Sequence, residues 1–384
     1  MHHWNPQQFR KAAEEEELDP KVLDNAVSNA EIIRTIDPRL PPVFSLRHLA
    51  HYAEVDYSLL RRTVERDGDE PYISFKLKKN GKSTFRIICA PDTFLLKTQR
   101  WIAQNILSVG AQHHSSVAYA KSCNIVDAAS IHCGCRWLIK LDVANFFESF
   151  SEIAAYRVFR SFGYQALISF EMARLCTRLG GHTHARSGSR WYVRPNHNYK
   201  IDGYKNGRIG HIPQGAPTSP MLTNLALRDF DRDIESIAAE YGMYYTRYAD
   251  DMFFSTKDQS FNREKGRNII AKLYARMKAE GFRPNIAKTR MHSPGARKIV
   301  LGLLVDGVAP KLTREFRSKI RMHLHYLKHE KIGPALHAQK RGFDSVMGLK
   351  NHIEGLISYA HQVQPELGAR WRDEFHKIEW GAYV

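Results

Sequence analysis

The feature that most restricts what this chain can fold into is a pair of adjacent aspartates between two strand-like runs. Residues 243–255 read Met-Tyr-Tyr-Thr-Arg-Tyr-Ala-Asp-Asp-Met-Phe-Phe-Ser, which predicts a hairpin with Asp250 and Asp251 at its tip. Two carboxylates held together against apolar strands repel one another and lose hydration, so a cation must balance them. An exposed Asp-Asp turn is the plain alternative, and the flanks Tyr248-Ala249 and Met252-Phe253-Phe254 speak against it. A second apolar run, Trp137 to Val143, places Asp142 at the exit of a buried strand. Carboxylates close together suit magnesium, which takes hard oxygen ligands. Phosphoryl transfer to a growing chain needs such a clamp for two ions. One lowers the pKa of the attacking hydroxyl and the other neutralises the leaving pyrophosphate.

Charge narrows the partner. Lys and Arg number 57 against 40 Asp and Glu, a net charge of +17, which favours a polyanion. A basic membrane-surface protein would share that charge, but no apolar run approaches a membrane span and no hydrophobic anchor is present. The start Met1-His2-His3-Trp4 lacks the basic, apolar and small-residue regions of a signal peptide, so cytoplasmic residence is expected. Five cysteines include no C-x-x-C motif. His132-Cys133-Gly134-Cys135 looks like half a zinc site without a second pair, so reduced, mostly buried thiols are expected.

Along the chain, residues 1–40 are polar and helix-like, with a solvated acidic run at Glu14–Glu17. Ser45 and Asp56 can cap helices starting at Leu46 and Tyr57. Residues 72–90 alternate as two strands around Asn80-Gly81, a strong hairpin signal, and carry Lys76, Lys78, Lys79, Lys82 and Arg86. A helix is predicted over 94–108, helices within 152–180, one long helix over 218–241 and another over 262–280. Lys298–Val305 reads as a strand with a turn at Asp306-Gly307. Residues 181–211 hold Arg186, Arg190, Arg194, Lys200, Lys205 and Arg208 among Trp191, Tyr192, Tyr199 and Tyr204. That mixture suits phosphates and stacked bases, and equally a solvated surface hairpin. Near the end, Arg314, Arg317, Arg321, His325 and Lys328 share one helical face beside the apolar Phe316, Ile320, Leu324 and Leu327. A helix of this kind is suited to lying along a phosphate backbone.

These residues resemble the reverse transcriptase family. Tyr248-Ala249-Asp250-Asp251 matches its Tyr-x-Asp-Asp box, motif C, and Leu141 to Phe147 matches motif A. Ile212-Pro213-Gln214-Gly215-Ala216-Pro217-Thr218-Ser219-Pro220 matches motif B, and Asn285-Ile286-Ala287-Lys288-Thr289 matches motif D. Leu301-Gly302-Leu303 resembles the motif E turn, or primer grip, and Arg86 to Pro91 the fingers block. Each box alone is weak, but the ordered set, from about residue 70 to 330, is specific. Bacterial retron enzymes resemble the chain best. Ala128-Ala129-Ser130-Ile131-His132 keeps two positions of their Asn-Ala-x-x-His box and lacks the Asn, while Val300-Leu301-Gly302 lacks the Thr of their Val-Thr-Gly box.

The resemblance implies an α+β right-hand polymerase with fingers, a palm built on an antiparallel sheet, and a helical thumb. The expected divisions are an N-terminal helical segment (1–70), fingers (71–135), palm (136–307, with the basic and aromatic insertion 181–211) and thumb (308–384). It implies that Asp142, Asp250 and Asp251 hold two magnesium ions with the Val143 carbonyl, and that Lys288 is a general acid toward pyrophosphate. Phe147 takes the position of the aromatic gate against a 2′-hydroxyl. Gln214 and Gly215 lie under the incoming nucleotide and template base, and Arg86 with Lys76 or Lys78 holds the triphosphate. Nucleic-acid contacts are expected at Arg190, Arg194, Lys200, Leu301, Gly302, Arg314, Arg317, Arg321 and Lys328. The implied partners are deoxynucleoside triphosphates, a structured noncoding RNA that is both template and primer, its branched RNA–DNA product (msDNA), and an effector protein encoded nearby in anti-phage defence. The competing readings are another bacterial reverse transcriptase, of group II intron or defence type, and an RNA-binding scaffold without catalysis.

Overall fold

The computed structural model describes residues 4–16, 19–78, 85–120, 123–180, 186, 188–194, 197 and 201–381. The elements in order are α1 (Pro6–Glu15), α2 (Pro20–Ile36), α3 (Leu46–Ala53), α4 (Tyr57–Glu65), β1 (Tyr72–Lys78), β2 (Phe85–Pro91), α5 (Thr93–Asn105) and α6 (Ile125–Ser130). Next come β3 (Trp137–Ala144), α7 (Glu152–Ser161), α8 (Ala166–Leu175), α9 (Ser219–Ala226), α10 (Arg228–Glu240), β4 (Tyr244–Tyr248), β5 (Asp251–Thr256) and α11 (Arg263–Ala279). The chain continues through β6 (Arg283–Pro284), β7 (Arg290–His292), β8 (Ile299–Val300), β9 (Leu303–Leu304) and β10 (Lys311–Leu312). It finishes with α12 (Arg314–Lys328), α13 (Gly333–Lys340), α14 (Val346–Val363) and α15 (Pro365–His376). Asn80-Gly81, Lys79, Lys82, Tyr199, Lys200 and Glu17 lie outside the described residues.

Helix starts follow local chemistry. Ser45 accepts from the His48 N–H and Asp56 from the Ser58 N–H, each satisfying an orphan donor of the first turn of α3 and α4. Asp92, Asn124 and Thr313 cap α5, α6 and α12 in the same way.

The residues form two compact units. The first takes Met1–Lys121, Asp142–Ile234 and Leu273–Asn285, and the second Ser122–Leu141, Glu235–Lys272 and Ile286–Val384. In the first, β1 and β2 pair antiparallel, Tyr72 opposite Pro91 through Lys78 opposite Phe85. In the second, β4 and β5 pair antiparallel, and β8, β9 and β10 form a small sheet of their own. Strand β3 runs through both. Leu138 to Lys140 pair with β7 in the second unit, and Val143 and Ala144 pair with β6 in the first. The second unit's core joins Leu138, Phe253, Val300 and Leu303 to Ile320, Leu324, Ile353, Trp371 and Phe375 from the C-terminal helices. Each such side chain, fully buried, contributes about 1.5–3 kcal/mol.

Three expectations are corrected. The helix expected over 218–241 is two helices, broken at Leu227. No Gly or Pro breaks it. Just before the break Asn224, fully buried, donates from its side chain to Gln112 Oε1 (2.7 Å) and the Ala118 carbonyl (2.8 Å), a tertiary anchor that the sequence pattern does not display. The strand expected over 298–305 is a tight hairpin, with Val300 opposite Leu303. Its two-residue loop, Leu301-Gly302, has positive φ at both residues (51° and 83°), as a type I′ turn demands. In 181–211, Trp191 and Tyr204 are buried, so they pack rather than stack on bases. Tyr204 donates its hydroxyl proton to Glu171, and Arg186, also buried, pairs with Glu148 at 3.1 Å.

Candidate active site

Asp142 ends the inner run of β3 and is buried, at 2% exposure. In the same unit Asn285 binds it twice. The Asn285 Nδ2 donates to Asp142 Oδ1 at 2.7 Å, and the Asn285 N–H donates to the Asp142 carbonyl at 2.8 Å. A buried carboxylate is thus oriented by the first residue of motif D. Val143 and Ala144 next along β3 pair with Pro284 and Arg283.

In the second unit, Tyr248 pairs with Asp251, so Ala249 and Asp250 form a two-residue turn. Ala249 has φ +53°, a conformation that costs a side-chain-bearing residue about 1–2 kcal/mol. Arg247, fully buried on the opposite face of β4, donates to the Ala249 carbonyl at 3.2 Å and supports the turn. Lys140, two residues before Asp142 on β3, puts its ammonium 2.8 Å from Asp251 Oδ2 and 5.1 Å from the Phe253 ring. A cation therefore already sits against one of the paired acids, as their repulsion demands. Sequence reasoning named neither Lys140 nor the bonding of Asn285. The signal was present: residues two apart on a strand share a face, so Lys140 and Asp142 point the same way.

Motif B is placed by the first unit. The Cys89 N–H on β2 donates to the Gln214 carbonyl at 2.8 Å, and the Ser219 hydroxyl donates to the Pro213 carbonyl at 2.7 Å. Gly215 has φ +113°, and a Cβ there would stand 2.7 Å from Ile88 Cγ2 and 3.2 Å from the Cys89 carbonyl oxygen. Close approach of β2 is thus a reason for glycine that the sequence did not reveal.

The triphosphate grip expected from the β1–β2 hairpin is divided. Arg86 lies opposite Leu77, while Lys76 and Lys78 lie opposite Ile87 and Phe85. Paired residues share a face, so Arg86 projects to one side and the two lysines to the other. The structure does not bring these three cations together. Phe147 is half-buried and meets Phe146 edge-on (centroids 5.3 Å apart), and Phe146 is the fully packed member of the pair. Lys288 is exposed on a short 3-10 turn, Ile286–Lys288.

Of the expected nucleic-acid contacts, Arg190 donates to the carbonyls of Gly281 (2.8 Å) and Ser149 (2.6 Å), and burial lowers its pKa. Arg194 is exposed, Leu301 half-buried and Gly302 exposed. On α12, Arg314, Arg321, His325 and Lys328 are exposed, with Ile320, Leu324 and Leu327 buried on the neighbouring face. Arg317 is half-buried, and Lys328 pairs with Glu374 at 2.7 Å. The described cysteines are free thiols, four of them buried. No helix among the described residues is long and apolar enough to cross a membrane.

The family model for reverse transcriptase (RNA-dependent DNA polymerase) matches residues 77–327. Retron Ec86 reverse transcriptase of Escherichia coli is 27% identical over 350 residues, covering 89% of this chain and 97% of that protein. Retron Mx162 reverse transcriptase of Myxococcus xanthus is 26% identical over 397 residues, covering 98% and 73%. Among solved structures, a foamy viral protease-reverse transcriptase in complex with double-stranded DNA aligns at TM-score 0.41 and 14% identity, over 81% of this chain and 40% of that one. The chain belongs to the reverse transcriptase family, in the α+β right-hand polymerase fold class, and is an RNA-directed DNA polymerase similar to the retron enzymes.

Proposed function

We propose that this polymerase copies a structured noncoding RNA into a branched RNA–DNA, starting from the 2′-hydroxyl of an internal guanosine. The product and an effector protein encoded nearby would act together in anti-phage defence. The observation that carries the reading is the ordered motif set within a chain similar to retron enzymes over nearly its full length. The residues fit a divalent-metal centre. Asp142, Asp250 and Asp251 are hard oxygen donors, and Asp251 already draws the Lys140 ammonium. These three acids, with the Val143 carbonyl, would hold two magnesium ions. Bound there, the ions would lower the pKa of the attacking hydroxyl and neutralise pyrophosphate. Asn285 holds the Asp142 carboxylate in one orientation, and Arg247 holds the turn that carries Asp250.

Phe147 is the proposed sugar gate, and Phe146 fills the core position that a purely structural phenylalanine would need. Phe147→Ala should raise ribonucleotide incorporation relative to deoxynucleotide by about 10-fold or more, as the loss of a steric contact of 1–3 kcal/mol implies. Single-nucleotide kinetics with paired ribo- and deoxynucleotides measure this, and unchanged discrimination removes the assignment. The cations of α12, exposed except for the half-buried Arg317, are proposed to lie along RNA phosphates. Reversing charge at Arg317 and Arg321 should weaken RNA binding and flatten the log Kd against log salt slope by about 1–2. An unchanged slope marks a merely solvated face. Sequencing the nucleic acid that copurifies with the protein tests the whole reading: a single structured RNA joined to DNA is expected, and random cellular RNA counts against it.

A further inference from the structure

No step of the reaction above uses His132, yet it is one of the most completely engaged side chains in the second unit. It follows α6 and is fully buried. Its Nδ1 lies 2.7 Å from Ser255 Oγ, and its Nε2 lies 2.7 Å from Thr246 Oγ1. Thr246 is on β4 and Ser255 on β5, the two strands whose turn carries Asp250. Thr246 pairs with Phe253 and Ser255 with Tyr244, so the imidazole ties the hairpin diagonally.

Paired residues point to the same side of a hairpin, so the side bound by His132 also presents Tyr248 and Asp251. Phe253 stands between them. Its ring centroid is 6.2 Å from that of His132, and the Lys140 ammonium that bonds Asp251 lies 5.1 Å from the same ring. A diagonal tie opposes sliding of one strand along the other, the movement by which a hairpin changes register. Sliding of β4 against β5 would displace the Asp250–Asp251 turn, which already holds Ala249 in a strained conformation.

A neutral imidazole donates from one nitrogen and accepts at the other, and two hydroxyls can complement either tautomer. Burial pushes the His132 pKa down to about 4, so the ring is neutral at ordinary pH. With both nitrogens engaged by hydroxyls, His132 has none to offer a zinc ion alongside Cys133 and Cys135.

We propose that His132 is a positioning residue for the polymerase. Through Thr246 and Ser255 it fixes the shear of β4 against β5, and with it the place of Asp250 and Asp251. The proposal rests on the polymerase reading.

The test uses the full chain on oligo(dT)-primed poly(rA) with dTTP, titrated with magnesium. His132→Phe keeps the ring and loses both bonds. Thr246→Val with Ser255→Ala removes the hydroxyls instead and leaves the two ring nitrogens unbonded, so it breaks the same tie from the other side. Both variants should lose about 10- to 100-fold in kcat, the scale of a misplacement near 1 Å, with the KM for dTTP changed by less than about 2-fold. The magnesium concentration for half-maximal rate should rise several-fold. His132→Asn, which keeps a donor and an acceptor, should recover part of the rate.

Wild-type kcat and magnesium midpoint in the folded variants overturn the proposal. So does a loss of rate that tracks only the folded fraction while the magnesium midpoint stays fixed. If His132→Phe does not fold, the Thr246 and Ser255 pair decides by the same criteria. Failure of the wild-type protein to extend the primer overturns the polymerase reading beneath the proposal.

Discussion

Replacing Asp250 with alanine is expected to cut dNTP incorporation by about 10³-fold or more. A fixed charge at the reacting centre supplies several kcal/mol, and each 1.36 kcal/mol is tenfold in rate. The fold should survive. Asp250 is half-exposed at the hairpin tip, and its removal relieves repulsion with Asp251. Thermal melting and RNA binding should therefore stay near wild type while extension is lost. Single-turnover extension with the two controls measures this. An active Asp250→Ala protein would favour the scaffold reading, in which the chain binds RNA without copying it.

Gly215→Ala should be a strongly damaging single-methyl change at the site. The new Cβ would meet Ile88 Cγ2 at 2.7 Å and the backbone of Cys89 at 3.2 and 3.3 Å, at a φ of +113° that an alanine rarely adopts. Backbone cannot rotate away as a side chain can, so the motif B loop and β2 must part. The Cys89 N–H to Gln214 carbonyl bond is lost with them. A destabilisation of about 2–4 kcal/mol is expected from strain and overpacking together. Extension should fall by about 10²-fold through the displaced loop. Adding Ile88→Ala relieves the nearest contact and leaves the backbone contacts and the φ strain, so only partial recovery should follow. Chemical denaturation and dNTP kinetics read both effects, and full recovery in the double variant would contradict the account.

Local chemistry carried much of the fold into the sequence. Ser45 and Asp56 announced their helices, and the run ending at Asp142 announced its strand, because caps and apolar periodicity act over a few residues. What was hidden depends on distant partners. Asn224, just before the break between α9 and α10, bonds Gln112 and Ala118, over a hundred positions away in the chain. Trp191 and Tyr204 look like stacking platforms until burial shows them packed.

The division between Arg86 and the two lysines was legible and unread. A two-residue turn at Asn80-Gly81 would set Arg86 opposite Phe75, again across the hairpin from the side of Lys76 and Lys78. The paired aspartates were fully legible as a charge problem. The answer at Asp251, an ammonium on the neighbouring strand, needed the fold.

The chain is a polymerase that makes DNA on an RNA template. The most direct measurement expresses it with its flanking genomic sequence, purifies it with bound nucleic acid, and adds magnesium and labelled deoxynucleotides. Labelled DNA covalently joined to one RNA, shortened but not freed by ribonuclease, and absent with Asp250→Ala, is the expected result. Label absent from the wild-type protein, or equally present with Asp250→Ala, would contradict it.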